Sequence, residues 1–415
     1  MGYLNTNIDS FSPAPLTPEQ YCPGIGHTGL DGEPLVASIT QSTTFSRDSV
    51  GSTATHQYSR VSNPTVATLE KALGDLEHAL PAACFATGLA AETALFLALL
   101  KQGDHVVCGR SVYGGTTRLL DQVLRDLGIT STFVDSTDLD EIRAAVRENT
   151  RLIFVETPAN PSLDITDIRG IAQIARITGA LLAVDNTFQT PVLQQPLDLG
   201  ADISVYSTTK FIDGHSVALG GALVTRDQHL LDRIRFIRKC TGAIQTPFNA
   251  WLTINGLKTL PLRIRQQGAN AETVAQWLNE QACIKAVYHP SLATGAAREC
   301  AEAQHLGTVG KHGAVVTFEV EGGIDAGRAF VESLTLCTLV EHVGSVETLI
   351  THPASMTHAD VPRDQRLEVG ITDGLLRLSV GLEPTDAVIA DLARGLEAAR
   401  ACTSAREEAS CPAHL

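Results

Sequence analysis

VYSTTKFIDGHS, residues 205–216, carries three hydroxyl side chains, Ser207, Thr208 and Thr209, followed directly by Lys210. It closes the apolar run DISVYS (202–207), one of a series of short β-rich runs that also includes HVVC (105–108), STFV (131–134), RLIFVE (151–156), ALLAVD (180–185) and GALVT (221–225). Helical patterns separate them. That alternation implies crossover units and therefore an α/β fold with a mostly parallel central sheet covered by helices. In such sheets ligands collect at the carboxyl ends of the strands, so a polar residue that stops an apolar run is a candidate for the site.

Upstream, NPTVATLEKALGDLEHAL (63–80) offers Asn63 as N-cap, Pro64 at the first helical position, and apolar residues at Val66, Leu69, Leu73, Leu76 and Leu80, the pattern of an amphipathic helix. Residues 1–60 are polar, rich in Gly, Pro, Ser and Thr, and without sustained periodicity. They read as an N-terminal arm that packs on a neighbouring subunit. GIGHTG (24–29) satisfies G-x-G-x-x-G, yet no strand precedes it and no helix follows, so the dinucleotide reading fails. Residues 61–255 form the expected ligand-binding α/β domain. Downstream, LLDRIRFIRKC and ANAETVAQWLNEQ connect to a smaller C-terminal α+β domain, 256–415, which mixes strands (AVVTFEV, LLRLSVG) with helices (AGRAFVESL, DAVIADLARGLEAAR). The end, SAREEASCPAHL (404–415), reads as a frayed tail.

With 415 residues, 44% of them hydrophobic, the chain can bury a sizeable core. Its net charge of -15 argues against nucleic acid as a partner, since tracking phosphates needs a basic surface. The N-terminus lacks a basic segment followed by an apolar run, so the expected location is cytoplasmic. Gly2 and Thr6 fit a loose acylation pattern that a second anchor does not support. The most apolar stretch, AACFATGLAAETALFLALL (82–100), is interrupted by Thr87, Gly88 and Glu92, which suits a buried strand and helix better than a membrane span. Nine cysteines are scattered without metal-ligand spacing, so no metal is expected and the thiols read as reduced.

Four strand ends carry the chemistry. CFAT stops at Thr87 before Gly88, which opens a helix whose free N–H groups and dipole suit a phosphate. RLIFVE runs into a loop holding Asn160, ALLAVD ends on Asp185, and DISVYS leads to Lys210. Each piece alone has an ordinary explanation: a packing glycine, a turn-forming aspartate, a solvated lysine. Together they supply phosphate donors (Gly88, Ser207, Thr209), an acid and an amine. One ligand uses that whole set: pyridoxal 5'-phosphate, with its phosphate, its basic ring nitrogen and its aldehyde that condenses with lysine.

VYSTTKFIDGHS, AVDNTFQTPVLQQPL (183–197), QYSRVSNPT (57–65), ATGLAA (86–91), VYGGT (112–116), ETPANP (156–161) and HPASMTH (352–358) stand in the order found in the Cys/Met-metabolism family of pyridoxal-phosphate enzymes, and the chain resembles that family. The resemblance implies a fold-type-I architecture and a homotetramer built from catalytic dimers. It also implies residue roles. Lys210 matches the Schiff-base lysine, Asp185 the carboxylate that keeps the pyridine nitrogen protonated, and Tyr113 the ring that stacks on the cofactor. Gly88, Leu89, Ser207 and Thr209 match the phosphate cradle, which Tyr58 and Arg60 complete from the neighbouring subunit. Arg377 matches the arginine that grips the substrate α-carboxylate, with Asn160, Thr187 and Thr357 nearby. An arginine fork meets a carboxylate bidentately, as a lysine does not.

The implied chemistry is γ-elimination or γ-replacement on a γ-substituted amino acid. Lys210 takes the Cα proton, loss of a Cβ proton expels the γ substituent with help from Tyr113, and water or a thiol completes the reaction. Gly115 stands where methionine γ-lyases typically place a cysteine, and Glu341 where cystathionine γ-lyases and γ-synthases have a glutamate, suited to a distal ammonium. The resemblance puts His342 and Ser345 beside the cofactor lysine and the substrate carboxylate, where they depart from the family's usual serine and glycine; an imidazole there adds a proton donor or narrows the substrate pocket. The alternatives are β-elimination, a methionine γ-lyase or homoserine-ester sulfhydrylase reaction, a γ-substituted amino acid of specialised metabolism, transamination, and a catalytically idle binding homologue.

Overall fold

The computed structural model describes residues 16–410 apart from 358, 360, 361 and 369. Gly2, Thr6, the start of the arm and His358 of HPASMTH lie outside the described residues. The larger sheet contains β1 (Ala83–Phe85), β2 (His105–Gly109), β3 (Thr130–Val134), β4 (Thr150–Glu156), β5 (Leu181–Asp185), β6 (Ile203–Tyr206) and β7 (Gly221–Thr225), in the order β1-β7-β6-β5-β4-β2-β3. From β3 across to β6 neighbouring strands are parallel; β7 is antiparallel to β6, and β1 to β7. The β-rich runs of the sequence coincide with β2 to β7.

These strands are apolar on both faces because helices cover both. Leu152 and Phe154 of β4 pack with Leu95 and Phe96 of the Gly88–Leu99 helix. Ile153 and Val155, pointing the other way, pack with Ile168, Ile171 and Ile174 of the Ile168–Thr178 helix. A strand buried twice loses the polar alternation of a surface strand, which is why RLIFVE reads as a continuous apolar run. Register then decides where a site can form. Glu156 lies opposite Asp185, and Asp185 opposite Val205, so β4, β5 and β6 end almost level. The chain leaving β6 delivers residues 207–210 beside Asp185.

The amphipathic helix begins as its sequence dictates: Pro64 is its first residue and the Asn63 side chain accepts from the Thr65 N–H at 2.9 Å. Val66, Leu69, Leu73 and Leu76 are buried. It stops at Leu76, short of Leu80, because Arg226 takes over the terminal carbonyls: its guanidinium donates to the oxygens of Glu77 and His78, and His78 adopts φ +50. The other end of the chain differs in the opposite sense. The final helix runs Thr385–Ser410, through residues expected to fray, because Ala, Arg and Glu propagate a helix once the Val388, Leu392 and Leu396 face has docked.

A smaller sheet, β8 (Ile284–Tyr288), β9 (Val315–Val320), β10 (Thr338–Leu339), β11 (Leu349–Thr351) and β12 (Leu375–Ser379), has the order β10-β11-β12-β9-β8. The Pro247–Asn279 helix, 33 residues long, packs on elements of both sheets, and the expected division at 255/256 falls inside it. Among the described residues no helix is long and apolar enough to cross a membrane, and no cluster of His, Cys, Asp and Glu could hold a metal ion.

Where the two sheets meet, His289, His305 and His312 are each only 4% exposed. Nδ1 of His305 is 3.0 Å from Nδ1 of His312, and Nε2 of His305 is 3.1 Å from the Gln189 amide. Burial, reinforced by His312 and His289, pushes His305 down to about 3. Below pH 6.5 the unfolded chain therefore takes up a proton that the folded chain refuses, so stability falls as pH drops and is unaffected above that range. Replacing His305 with Gln should reduce the loss of stability between pH 7 and pH 5 by about 1–2 kcal/mol, read from urea unfolding at the two pH values.

Candidate active site

The strand ends, the Gly88 helix and the loops of the smaller sheet enclose a cavity of about 400 Å³. Lys210, in the turn after β6, presents its amine there, and burial followed by the nearby Arg377 charge lowers its pKa to about 8. Asp185 ends β5; its Oδ1 accepts from the Thr187 N–H at 2.9 Å, yet burial raises its pKa to about 6. Thr187 Oγ1 in turn accepts from the Ser207 N–H at 2.8 Å, which ties the β5 loop to the lysine turn.

Thr87 caps the Gly88–Leu99 helix by accepting from the Ala90 N–H at 3.0 Å, and Gly88 and Leu89 line the cavity. A Cβ at Gly88 would sit 3.0 Å from Cβ and 3.1 Å from Oγ of Ser207, so glycine keeps the space between them clear. Thr209 also lines the cavity, where its hydroxyl donates to the Gly220 carbonyl at 3.1 Å and accepts the Gly220 N–H at 3.0 Å.

Arg377, on β12, is 6% exposed. Nη1 donates to Asn160 Oδ1 at 2.8 Å; Nη2 donates to Thr351 Oγ1 at 3.1 Å and to the His342 carbonyl at 3.2 Å. Nε is buried and has no acceptor among the described residues, and burial lowers the guanidinium to about 10. A buried arginine held by neutral acceptors attracts an anion. Arg377→Lys keeps the charge and removes the fork, so kcat/KM should fall by about 10²-fold, mostly through KM, in steady-state kinetics.

Tyr113 precedes the short Gly114–Arg118 helix; its N–H donates to Glu156 Oε2 at 2.7 Å and its ring is substantially exposed to the cavity. Gly115 leaves room for that ring where it stands: a Cβ there would overlap Cε1 of Tyr113 and come 2.9 Å from Cδ1, so a larger residue would shift the ring. Asn160, Glu341 and Thr357 line the remaining wall. Three expected site residues do not line it. Tyr58 and Arg60 sit elsewhere, with the Arg60 guanidinium 5.3 Å over the Tyr58 ring and bonded to the Lys239 carbonyl at 2.9 Å. His342, expected beside the lysine and the substrate carboxylate, is not part of the cavity lining, but its ring contacts Lys210 and its carbonyl accepts from Arg377.

Sequence reasoning passed over Glu156 and Glu92. Both are buried cavity residues. Glu92 Oε2 accepts the Thr116 hydroxyl at 2.7 Å, and burial and then Asp185 push it up to about 8. Glu156 is raised well above the carboxylate range by burial and by Asp185. Glu92 interrupts an apolar run and Glu156 ends one; strand register sets Glu156 opposite Asp185, and the Gly88–Leu99 helix brings Glu92 within reach of the Asp185 charge.

The donor set fits pyridoxal phosphate. A helix N-terminus with a glycine-cleared cradle and a serine suits the phosphate, a buried carboxylate with no ion-pair partner among the described residues suits a protonated ring nitrogen, and a buried amine of lowered pKa suits an aldehyde.

A sequence model of the Cys/Met metabolism PLP-dependent enzymes matches residues 28–397. The chain is 41% identical over 375 residues to a cystathionine gamma-lyase of Bacillus subtilis (strain 168), covering 89% of this chain and 97% of the relative. It is 41% identical over 374 residues to an L-methionine gamma-lyase of Fusobacterium nucleatum subsp. polymorphum, covering 88% of this chain and 93% of the relative. Among solved structures, a cystathionine gamma synthase of Xanthomonas oryzae pv. oryzae, in complex with aminoacrylate and cysteine, superposes with a TM-score of 0.89 at 39% identity, covering 94% of this chain and all of that one.

Proposed function

Because the chain belongs to the Cys/Met metabolism PLP-dependent enzymes and is thus a transsulfuration-type enzyme that uses pyridoxal phosphate, we propose that it catalyses γ-elimination or γ-replacement on a γ-substituted amino acid of the size and charge of cystathionine. The observation that carries this reading is that Arg377 and Glu341 line one cavity together with Lys210. That arrangement suits a substrate with a carboxylate at one end and a second ammonium at the other.

When bound, pyridoxal phosphate supplies an electron sink for the bonds at the substrate's Cα. The chain supplies the rest. Arg377, aimed by Asn160 and Thr351, holds the α-carboxylate and so fixes which Cα bond faces Lys210. Lys210, with its pKa near 8, takes the Cα proton, and loss of a proton from Cβ then lets the γ substituent leave. Asp185 keeps the ring nitrogen protonated, and the Gly88 helix start with Ser207 and Thr209 binds the phosphate. Tyr113 moves a proton at the leaving group, and Glu341 receives the distal ammonium.

Tyr58 and Arg60 fit the same proposal as contributions to a neighbouring subunit's phosphate site, within a homotetramer of catalytic dimers, since neither lines the cavity of its own chain. The eight described cysteines are all unpaired, as suits a reducing, cytoplasmic compartment.

The test is to offer purified enzyme cystathionine, methionine, and O-acetyl- and O-succinylhomoserine, each with and without cysteine, and to identify the products. 2-Oxobutyrate from cystathionine, or cystathionine from a homoserine ester and cysteine, is expected. Pyruvate from cystathionine would establish β-elimination instead.

A further inference from the structure

The amine of Lys210 has a close neighbour that the proposed chemistry leaves unused. Nδ1 of His342 lies 3.3 Å from Nζ of Lys210. The imidazole is held there by its loop. Val346 N–H donates to the Gly214 carbonyl at 2.8 Å, and Gly344 N–H to Ser379 Oγ at 2.8 Å. Gly344, at φ +88, packs so closely on the lysine turn that a Cβ would overlap the Phe211 nitrogen and lie 3.0 Å from the Lys210 Cα. The His342 carbonyl accepts from Arg377 at 3.2 Å, so one residue touches both the amine and the guanidinium.

Hydrogen-bond chemistry then fixes the ring's state. A protonated lysine amine only donates, so toward it Nδ1 accepts, which leaves the hydrogen of the neutral ring on Nε2. Nε2 is buried and without a partner among the described residues. Burial, followed by the charges of Lys210 and Arg377, lowers His342 to about 4, so the ring stays a neutral acceptor and does not strip the lysine of its proton.

We propose that His342 is a positioning residue that acts through Lys210: by accepting a hydrogen bond from Nζ it holds the amine, whenever the amine is not bonded to the cofactor, on the rotamer that meets the substrate's Cα. This rests on the proposed function only in assigning Cα proton transfer to Lys210; it is independent of which substituent leaves.

The test compares His342→Ala, His342→Asn and His342→Gln in the holoenzyme, with cofactor occupancy checked by visible absorbance. The readouts are kcat and KM for the preferred substrate, and exchange of the Cα hydrogen of L-alanine, which carries no γ substituent, for solvent deuterium. His342→Ala should lower kcat and exchange together by about 10–100-fold, with KM changed less than about threefold. His342→Asn, whose Oδ1 falls where Nδ1 was, should recover both to within about threefold of the wild type; His342→Gln should not. In cofactor-free, 15N-histidine-labelled protein, the resonance lost in His342→Asn should be that of the Nε2–H tautomer. The inference is overturned if His342→Ala matches the wild type, if His342→Asn fails as badly as His342→Gln, or if the tautomer is Nδ1–H. Should the alanine pattern appear while no γ-substituted amino acid reacts, only the substrate proposal fails. If His342→Ala does not fold, the contrast between Asn and Gln decides.

Discussion

Lys210→Ala is expected to lower turnover of any amino-acid substrate by about 10³-fold or more while leaving the fold intact. On the proposed function two roles of one nitrogen are removed together: the covalent attachment of the aldehyde and the transfer of the Cα proton. The fold should survive because Lys210 sits in a turn whose backbone is secured independently. Asp213 N–H bonds to the Thr208 carbonyl and Gly214 N–H to the Lys210 carbonyl, and neither bond needs the side chain. The cofactor should still enter the cavity, held by its phosphate. Its absorbance should then resemble that of the free aldehyde, and borohydride should reduce it to an alcohol that separates from the protein on denaturation. Added methylamine should restore part of the lost rate, since a small amine can replace the missing group within the space that it vacates.

The second large effect concerns Asp185. Without a cation opposite, burial holds this carboxyl near 6; pairing with a protonated ring nitrogen would pull it down and raise the nitrogen's pKa by the same interaction. Asp185→Asn leaves the shape and removes the charge. If the nitrogen's pKa drops by about two units, the electron sink weakens by about 2.7 kcal/mol, so kcat should fall by about 10²-fold. The loss should be visible in pre-steady-state Cα proton abstraction and not only in product release. Glu156→Gln offers the contrast. Glu156 lies opposite Asp185 on β4 without ending β5, and its Oε2 positions Tyr113 through the backbone, so the main effect should fall at the leaving-group step.

Much of the architecture was legible because each strand is a short apolar run ended by a residue of different character. Asp185, Lys210 and Gly88 stand at such boundaries, and the parallel-sheet rule converts a boundary into a place in space. Glu92 was not legible as a site residue, because an acid inside an apolar helical run has the same appearance whether it faces a cavity or breaks a pattern. Glu156 ends its run as Asp185 does and was passed over; what sets it against Asp185 is cross-strand register, which periodicity does not carry. The family resemblance alone, not periodicity, places His342 beside the lysine. Its contact joins residues 132 positions apart, through a loop whose seat on the lysine turn depends on the missing side chain of Gly344. Helix ends were misjudged for a related reason: the stop at Leu76 comes from Arg226, far along the chain.

The central claim is that the cofactor's aldehyde is bonded to Lys210. Treating the holoenzyme with borohydride, digesting it and mapping the pyridoxyl mass by tandem mass spectrometry tests this directly. The account predicts a single modified lysine, residue 210, in the peptide containing VYSTTKFIDGHS, and no label after Lys210→Ala. A pyridoxyl group on any other lysine, or unmodified Lys210 in protein that retains the cofactor's absorbance, would contradict it.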